Sequence, residues 1–517
     1  MWAENLKFPG FGNRGSSRPG VWERLPSTTT QNCLSAKEDI MSTEIQEMSL
    51  RTLAGSIRRR EVSAREALEA HLLRIEEVNP TINAVVTLDH EGAWQRATAA
   101  DAELAAGAEV GPLHGVPMTH KDNHNTAGMR TTFGSPVFAN NIPDSDGLII
   151  RRLKEAGINT TGKSNVPELA AGSHTFNPVF GTTTNPYDPI RSAGGSSGGV
   201  AAAIAAGIQA AGDGSDMGGS LRTPGSFCNL VGYRPSLGRI PMLPAKNPWA
   251  WISRQGFLAH DVEDIRCLMR AVAGPDLGSP ASLPLDDSYA DSTFQGLQGL
   301  RVGWSADFGL GVPVQHEVLD VLVPQLRVFE ELGAPVEVAC PDLSDADEVF
   351  QTTRAFDFGT NYGHLMPEHR SRMKGAVQWN IDKGLALTAA DMISANSARA
   401  RLQEAVRSFF TRYDVLLTPA VQVLPFDAAL EYPAEIEGIP IENYLGWMRA
   451  ATLISATGLP ALSVPGGFTP SGLPVGLQII TADRADRLLL QVAQAFETAT
   501  GFHRRKPEMA LPAAGAR

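Results

Sequence analysis

The first organised segment of the chain alternates apolar and polar residues at helical spacing. Apolar side chains between residues 50 and 57 fall on one helical face, as in an amphipathic helix packed on a core. Ser63 to Glu66 matches a capping box, in which a serine and a glutamate satisfy free amides at a helix start. Asn79-Pro80 predicts the end of this second helix, because proline cannot donate the next backbone hydrogen bond.

Downstream, short apolar runs of strand length alternate with segments of helical period. This alternation favours a layered α/β fold, and the sequence shows no internal repeat. The predicted strands cover residues 82–88, 158–161, 299–304, 415–418, 457–467 and 472–480. The predicted helices cover an alanine-rich segment ending near residue 107 and residues 145–156, 200–212, 318–332, 395–413 and 483–498.

The most apolar run, residues 200–212, is too short to span a bilayer, so it predicts a buried helix. A hydrophobic fraction of 43% and a charged fraction of 19% are typical of a soluble globular protein. The net charge of −12 repels phosphate groups and argues against nucleic-acid binding. Four scattered cysteines without a C-x-x-C pair indicate a reducing compartment, and we expect a cytoplasmic protein.

Residues 1–40 are rich in proline, glycine, serine and threonine and lack the apolar core of a secretory signal. We expect them to be a disordered leader, or sequence that precedes a true start near Met41. A flexible tail is expected over residues 511–517.

The clearest candidate for chemistry is the Gly218-Gly219-Ser220 segment. It places one hydroxyl directly behind two glycines, so backbone amides can approach a reacting atom without interference from a Cβ atom. Such an arrangement suits an oxyanion hole. Glycine pairs before a serine are also common in ordinary turns, so two upstream segments are needed to support the interpretation.

The first upstream segment is a short predicted strand that ends at Lys121. Taken alone, a lysine at this place would be an ordinary surface charge. A second lysine, Lys163, belongs to a Gly157 to Ser164 stretch that satisfies the P-loop pattern. A P-loop follows an apolar strand, whereas the residues before this stretch are charged and helical, so its context argues against nucleotide binding.

The second upstream segment is the Gly194-Gly-Ser196-Ser-Gly198 run, which also matches the nucleophile elbow of α/β-hydrolases. That alternative makes Ser196 the nucleophile and requires a histidine downstream. The candidates are His260, His316, His364, His369 and His503, none of which lies in a recognisable motif.

Together these segments resemble the amidase signature family. The Gly-Gly-Ser-Ser-Gly-Gly run, the Asp-x-Gly-Gly-Ser-x-Arg stretch, an earlier Val-Pro-x-x-x-Lys-Asp-Asn and a closing Thr-Gly-Leu-Pro-Ala-Leu-Ser-Val-Pro appear in the family's order. The resemblance extends over residues 48–504. It implies one amidase signature domain over residues 41–510, with a central mixed sheet covered by helices on both faces, instead of the three domains that length suggests.

The resemblance also implies a Ser–cis-Ser–Lys triad of Ser220, Ser196 and Lys121. Ser220 would be the nucleophile, Ser196 would follow a cis peptide bond and relay the proton, and Lys121 would be the base. Burial of a lysine among apolar groups lowers its pKa, which a lysine base requires. The backbone amides of Met217, Gly218, Gly219 and Ser220 would form the oxyanion hole.

Supporting roles are expected for three neighbours of the triad. Ser197 would hydrogen-bond within its loop or have a purely structural role. Asp216 and Arg222 would brace the loop that contains Ser220. The i, i+4 pair His120 and His124 lies in a turn that suits a helical metal pair poorly. We therefore predict neither a metal nor a cofactor.

The implied activity is hydrolysis of a small, hydrophobic or aryl amide through an acyl-serine. A carbamate or ester would use the same machinery, and an A-type subunit of a tRNA-dependent amidotransferase stays an alternative. We expect the enzyme to bind the amide and water and to act without nucleic acid or a membrane. A homodimer is compatible with the sequence. Six aromatic residues would line a pocket or pack in the core: Trp249, Trp251, Phe356, Phe358, Trp379 and Trp447.

Overall fold

Most helices form where the apolar spacing predicts them. The computed structural model describes residues 44–290 and 296–509, so the expected leader and tail lie outside the described residues. The helices of six residues or more are α1 Leu50–Arg58, α2 Ala64–Ile82, α3 His90–Ala105, α4 Leu148–Glu155, α5 Gly198–Ala205, α6 Arg222–Phe227, α7 Val262–Val272, α8 His316–Leu322, α9 Leu326–Glu331, α10 Ala346–Tyr362, α11 Gly375–Ala386, α12 Ala389–Arg412, α13 Arg449–Thr457 and α14 Asp486–Thr500.

The strands assemble into two larger sheets. They are β1 Val85–Leu88, β2 Pro117–Lys121, β3 Asn159–Ser164, β4 Ala211–Asp216, β5 Val231–Arg234, β6 Arg254–Ala259, β7 Val302–Trp304, β8 Val336–Val338, β9 Val415–Pro419, β10 Ala461–Phe468 and β11 Pro474–Thr481. Eight of them form one mixed sheet in the order β8-β7-β9-β11-β10-β5-β6-β4, in which β7 runs parallel to β8 and β9 and the other neighbours are antiparallel.

The predicted α/β class with a central mixed sheet is confirmed. A feature that the sequence did not indicate is a separate three-stranded sheet of order β1-β3-β2, in which β2 and β3 are parallel. Strand β2 of this small sheet ends at Lys121, and β4 at the edge of the large sheet ends at Asp216. A hydrogen bond of 2.6 Å between His120 and Asp213 joins β2 to β4, so the two sheets meet beside the candidate residues.

Helix α2 corrects one expectation, because it continues through Pro80 to Ile82. A proline in the last turn removes only one helical hydrogen bond. The Asn79 side chain accepts from the Ala84 and Val85 amides just beyond the helix, at 2.8 Å each. The capping box at Ser63 is present as predicted.

Helix α5 corrects a second expectation. The apolar run over 200–212 is not one helix: α5 ends at Ala205, and β4 begins at Ala211. Gly207 at φ 76° ends the helix, and the Ile208 amide donates to the Ala203 carbonyl at 2.8 Å, as in a Schellman cap. Every residue of α5 is buried.

The predicted helix over 318–332 is also divided, because a 3-10 turn, Val323–Gln325, contains Pro324 between α8 and α9. The predicted closing strands, by contrast, pair as antiparallel β10 and β11. Within the described residues, no helix is both long and apolar enough to cross a bilayer.

Candidate active site

Lys121 ends strand β2 and is fully buried. Its Nζ donates to Ser196 Oγ at 2.8 Å and to Ser215 Oγ at 3.0 Å. Asn123 Nδ2 also donates to Ser215 Oγ, at 3.2 Å. The lysine therefore contacts two hydroxyl groups: that of Ser196, which the sequence singled out, and that of Ser215, which it did not.

Burial lowers the pKa of Lys121 to about 7, because the charged ammonium is removed from water. The negative charges of Asp216 and Asp213 oppose this shift without cancelling it. At neutral pH a substantial fraction of this side chain is consequently an uncharged amine. An uncharged amine can accept a proton from a neighbouring hydroxyl, which an ordinary surface lysine cannot do at that pH.

Ser196 lies immediately before α5 and follows a cis peptide bond between Gly195 and Ser196. Space around this loop is tight: a Cβ atom on Gly195 would come within 2.8 Å of Thr175 Oγ1. The loop also contacts the Ser220 segment, since the Ser197 amide donates to the Ser220 carbonyl at 3.2 Å. Ser197 Oγ donates to the Ser215 carbonyl at 3.5 Å, so this side chain bonds within the site's own loops.

Ser220 follows β4 in a loop that the Asp216 carboxylate holds. Asp216 accepts from the Gly219 amide at 2.9 Å and the Leu221 amide at 3.1 Å, and it pairs with Arg222 at 2.9 Å. The Arg222 charge and these hydrogen bonds keep the pKa of Asp216 well below its usual range despite burial. Asp216 and Arg222 thus brace the turn that presents Ser220.

Arg222 also connects the Ser220 loop to residues of α13 and β11. It donates to Ser455 Oγ in α13 at 2.7 Å, to the Ala451 carbonyl at 3.1 Å and to Gln478 Oε1 in β11 at 2.6 Å. All of these contacts are buried. The serine loop is therefore attached to both the central sheet and a helix packed beside it.

A cavity of about 330 Å³ opens above these loops, and Ser196, Ser215, Met217 and Ser220 all line it. The structure thus brings both candidate serines to one cavity, with Lys121 buried behind Ser196. Of the four amides predicted for an oxyanion hole, that of Gly219 is occupied by Asp216. A Cβ atom on Gly218 would come within 2.8 Å of the Phe350 ring, so this residue has to be small.

Asp213 is a site residue that sequence reasoning missed. It accepts from the Nδ1 atoms of His120 and His124 at 2.6 Å each and from the Lys121 amide at 3.2 Å. The two histidines therefore hold a carboxylate beside the lysine strand. The surrounding Gly-Asp-Gly-Ser-Asp sequence, with two carboxylates and a serine on β4, is the signal that was available for Asp213 and Ser215.

The two alternative motifs have other roles in the structure. Lys163 of the P-loop pattern is buried inside β3, and its Nζ donates to the His124 carbonyl at 2.6 Å and Thr126 Oγ1 at 2.9 Å. Ser196 contacts Lys121, whereas the cavity lining among the described residues contains none of the histidines that an elbow mechanism needs. Those histidines are His260, His316, His364, His369 and His503.

The aromatic residues divide between wall and core. Phe358 lines the cavity, together with Phe133 and Tyr362, which the sequence did not single out. Trp447 is buried in a core cluster that Trp379 packs against. A second cleft of about 170 Å³ is bordered by Trp249, Trp251 and Phe356.

Known proteins match this chain over most of its length. The Amidase family matches residues 66–490. An acylamidase of Rhodococcus erythropolis is 35% identical over 469 residues, covering 90% of this chain and 98% of that protein. The A-type subunit of the glutamyl-tRNA(Gln) amidotransferase of Moorella thermoacetica is 36% identical, covering 90% of this chain and 100% of that protein.

The fold is similar to that of solved enzymes as well. The crystal structure of a bacterial aryl acylamidase of the amidase signature family superposes with a TM-score of 0.84 at 28% identity, covering 89% of this chain and 98% of that one. A 6-aminohexanoate cyclic dimer hydrolase superposes with a TM-score of 0.79 at 25% identity, over 90% of this chain and 99% of that one. The chain therefore belongs to the amidase signature family and is an amide-hydrolysing enzyme.

Proposed function

We propose that this enzyme cleaves a small, hydrophobic or aryl amide through an acyl-Ser220 intermediate, with Lys121 as the base and Ser196 as the proton relay. One observation carries the proposal. The buried Lys121 amine, 2.8 Å from Ser196 Oγ, stands behind a cavity that both Ser196 and Ser220 line. A serine hydroxyl is a weak nucleophile until a nearby base removes its proton, and this arrangement supplies the base.

In acylation, Ser220 Oγ attacks the substrate carbonyl carbon while its proton passes to Ser196 Oγ. Ser196 in turn gives its own proton to the Lys121 amine. The resulting lysine ammonium returns a proton through Ser196 to the substrate nitrogen, the C–N bond breaks and the amine leaves. Water then attacks the acyl-Ser220 ester, gives a proton to the same relay and releases the carboxylic acid together with the free Ser220 hydroxyl.

The tetrahedral intermediate of each step carries a negative oxygen, which needs hydrogen-bond donors fixed in advance. We assign this role to the backbone amides of Met217, Gly218 and Ser220. Within the described residues these amides have no protein acceptor, whereas the Gly219 amide donates to Asp216. Gly219 would thus orient the loop while its neighbours contact the oxygen.

The cavity favours an apolar substrate. Its lining includes Phe133, Leu169, Met217, Phe358 and Tyr362, and apolar and aromatic walls are typical of small-molecule sites. The similarity to an acylamidase and to an aryl acylamidase supports the same choice. A cavity of about 330 Å³ suits a compact amide such as an anilide.

Carbamates and esters share the acyl-transfer chemistry and form the first alternative. The second is an A-type amidotransferase subunit that releases ammonia from glutamine for a partner complex, which the similarity to the Moorella thermoacetica protein supports. A purified chain that hydrolyses simple amides without any partner favours the free amidase. We also propose that the enzyme is cytoplasmic and acts without nucleic acid or a membrane.

Intact-mass spectrometry after exposure to a fluorophosphonate tests the nucleophile. Wild type should gain one phosphonyl adduct and Ser220→Ala none, while Ser196→Ala should label slowly because the relay is interrupted. Loss of labelling in Ser196→Ala with normal labelling of Ser220→Ala would overturn the assignment in favour of the elbow mechanism. The same preparations, assayed on anilides, primary amides, carbamates, esters and glutamine, then identify the substrate class.

A further inference from the structure

A carboxylate that accepts no hydrogen bond from the described residues faces the catalytic cavity. Asp357 lies in helix α10 and lines the cavity that Ser220 lines. It is only 5% exposed, yet no group in residues 44–290 and 296–509 donates a hydrogen bond to it. Its oxygens stay accessible from the cavity, so a ligand bound there can supply the hydrogen-bond donor that the described residues do not.

Arg354 lies one helical turn earlier in α10 and also lines the cavity. Its guanidinium donates to Tyr444 Oη at 2.8 Å and to Asn380 Oδ1 at 3.1 Å, and it makes no ion pair with Asp357 among the described contacts. Burial raises the pKa of Asp357 to about 6, and the charge of Arg354 opposes the rise. At neutral pH most Asp357 side chains are therefore ionised, and in that form the carboxylate can only accept hydrogen bonds.

The other cations of the cavity wall are satisfied by neutral acceptors. Lys246 Nζ donates to the Asn361 carbonyl at 2.7 Å, and Arg254 donates to the Gly458 carbonyl at 3.2 Å. With Arg354, the wall thus holds three cations and one carboxylate. The three cations oppose the attraction of a cationic ligand group to Asp357, whereas a neutral N–H or O–H group would meet one strong acceptor.

We propose that Asp357 is a specificity-determining residue that accepts a hydrogen bond from a neutral N–H or O–H group of the substrate, away from the bond that is cleaved. The proposal rests on the amidase function proposed above and narrows its substrate class to apolar amides with one polar donor. A charged acceptor gives a stronger hydrogen bond than a neutral one, and an unpaired polar group strongly disfavours an analogue without the donor.

Position supports this role. Asp357 lines both the main cavity and the second cleft, as do Asn247 and Ala250, whereas Ser220 lines the main cavity. The carboxylate thus stands at the border where the two clefts meet. Because Ser220 and Asp357 both line the main cavity, a substrate whose carbonyl meets Ser220 can present a second group to Asp357.

The test compares matched substrates. On the amine side the series is 4-hydroxy-, 4-methoxy- and 4-methylacetanilide, and on the acyl side it is the 4-hydroxybutanoyl and pentanoyl anilides. Each side also includes an analogue with an ammonium group. We expect the hydroxyl compound of one series to exceed its methyl partner about tenfold or more in kcat/KM, and the methoxy and ammonium compounds to show no such gain.

Three variants separate hydrogen bonding from structural effects. Asp357→Leu should abolish the preference, and Asp357→Asn should retain part of it, because the amide oxygen still accepts a hydrogen bond. Asp347→Asn, at a residue of the same helix that pairs with Arg449, should leave the preference unchanged. Equal kcat/KM within both series, an unaltered preference in Asp357→Leu, or a preference for the ammonium compounds would overturn the proposal.

Calorimetry with the Ser220→Ala variant keeps this test independent of turnover. The hydroxyl anilide should bind about tenfold more tightly than its methyl partner, and a second Asp357→Leu substitution should remove the difference. Binding preference without hydrolysis by the wild type would refute the amidase proposal and uphold the role of Asp357. Hydrolysis without a donor preference would do the reverse.

Discussion

The proposed role of Lys121 as the base makes the pH dependence of catalysis the sharpest test of the site. A free lysine is neutral in roughly one molecule in 2,500 at pH 7, because its ordinary pKa lies near 10.4. Burial lowers the pKa of Lys121 to about 7, so about half of the molecules carry the neutral amine at that pH. The fold therefore increases the population of active base by about three orders of magnitude.

Activity should follow that population. We expect kcat/KM for an anilide to rise tenfold per pH unit from about pH 5, to bend near pH 7 and to stay level from about pH 8 to 9.5. The anilide has no titrating group in this range, so the bend reports the free enzyme.

Asp213→Asn tests the cause of the bend. The Asp213 charge favours the ammonium form of Lys121, so its removal should favour the neutral amine and lower the pKa. The bend should therefore move to a pH below that of the wild type. A wild-type bend above pH 9, or an upward shift in Asp213→Asn, would refute the reasoning.

Three further outcomes are expected. Lys121→Met should abolish amide hydrolysis yet raise the apparent melting temperature at pH 7 by a few degrees. The rise is expected because a buried lysine that becomes charged on unfolding destabilises the folded state. An unchanged or lower melting temperature would contradict this. Arg222→Met should lower the free energy of unfolding by about 3 kcal/mol in urea titrations, since it leaves the buried Asp216 charge with only the longer ion pair to Arg234 at 3.7 Å. A loss below about 1 kcal/mol would contradict this, because it would mean that the Arg234 pair alone holds the carboxylate. The Gly219→Ala variant should not be labelled by the fluorophosphonate. Gly219 has a φ of +102°, and a Cβ atom at this position would come within 2.5 Å of the Ala451 Cβ atom, so the loop would have to move. Labelling at the wild-type rate would show that the loop accepts the added methyl group.

The fold class could be predicted because strand and helix patterns alternate clearly, as in the β10 and β11 pair. The ends of elements were less predictable. Pro80 did not end α2 because side-chain bonds from Asn79 stabilise the last turn, and Gly207 divided an apolar run whose composition was uniform. Both outcomes depend on contacts or backbone angles that apolar periodicity does not encode.

The candidate residues Lys121, Ser196 and Ser220 could be proposed from the sequence because glycine-rich loops and a lysine at a strand end are visible in order along the chain. Asp213, Ser215 and Asp357 could not be named in the same way. Each acts through its position across a sheet or cavity from residues distant in sequence. The Gly-Asp-Gly-Ser-Asp sequence did not distinguish Asp213 or Ser215 from its neighbours, and no motif surrounds Asp357.

The bracing of the serine loop by Arg222 has a consequence for synthesis. Arg222 and Gln478 are 256 residues apart, and Arg222 and Ser455 are 233 apart. While a ribosome is still producing the chain, Ser220 and Lys121 emerge long before the residues that hold their loops in place. The growing polypeptide thus carries Ser220 and Lys121 without the contacts that support the Ser220 loop, and we expect no hydrolysis until the chain has been made and folded through Gln478.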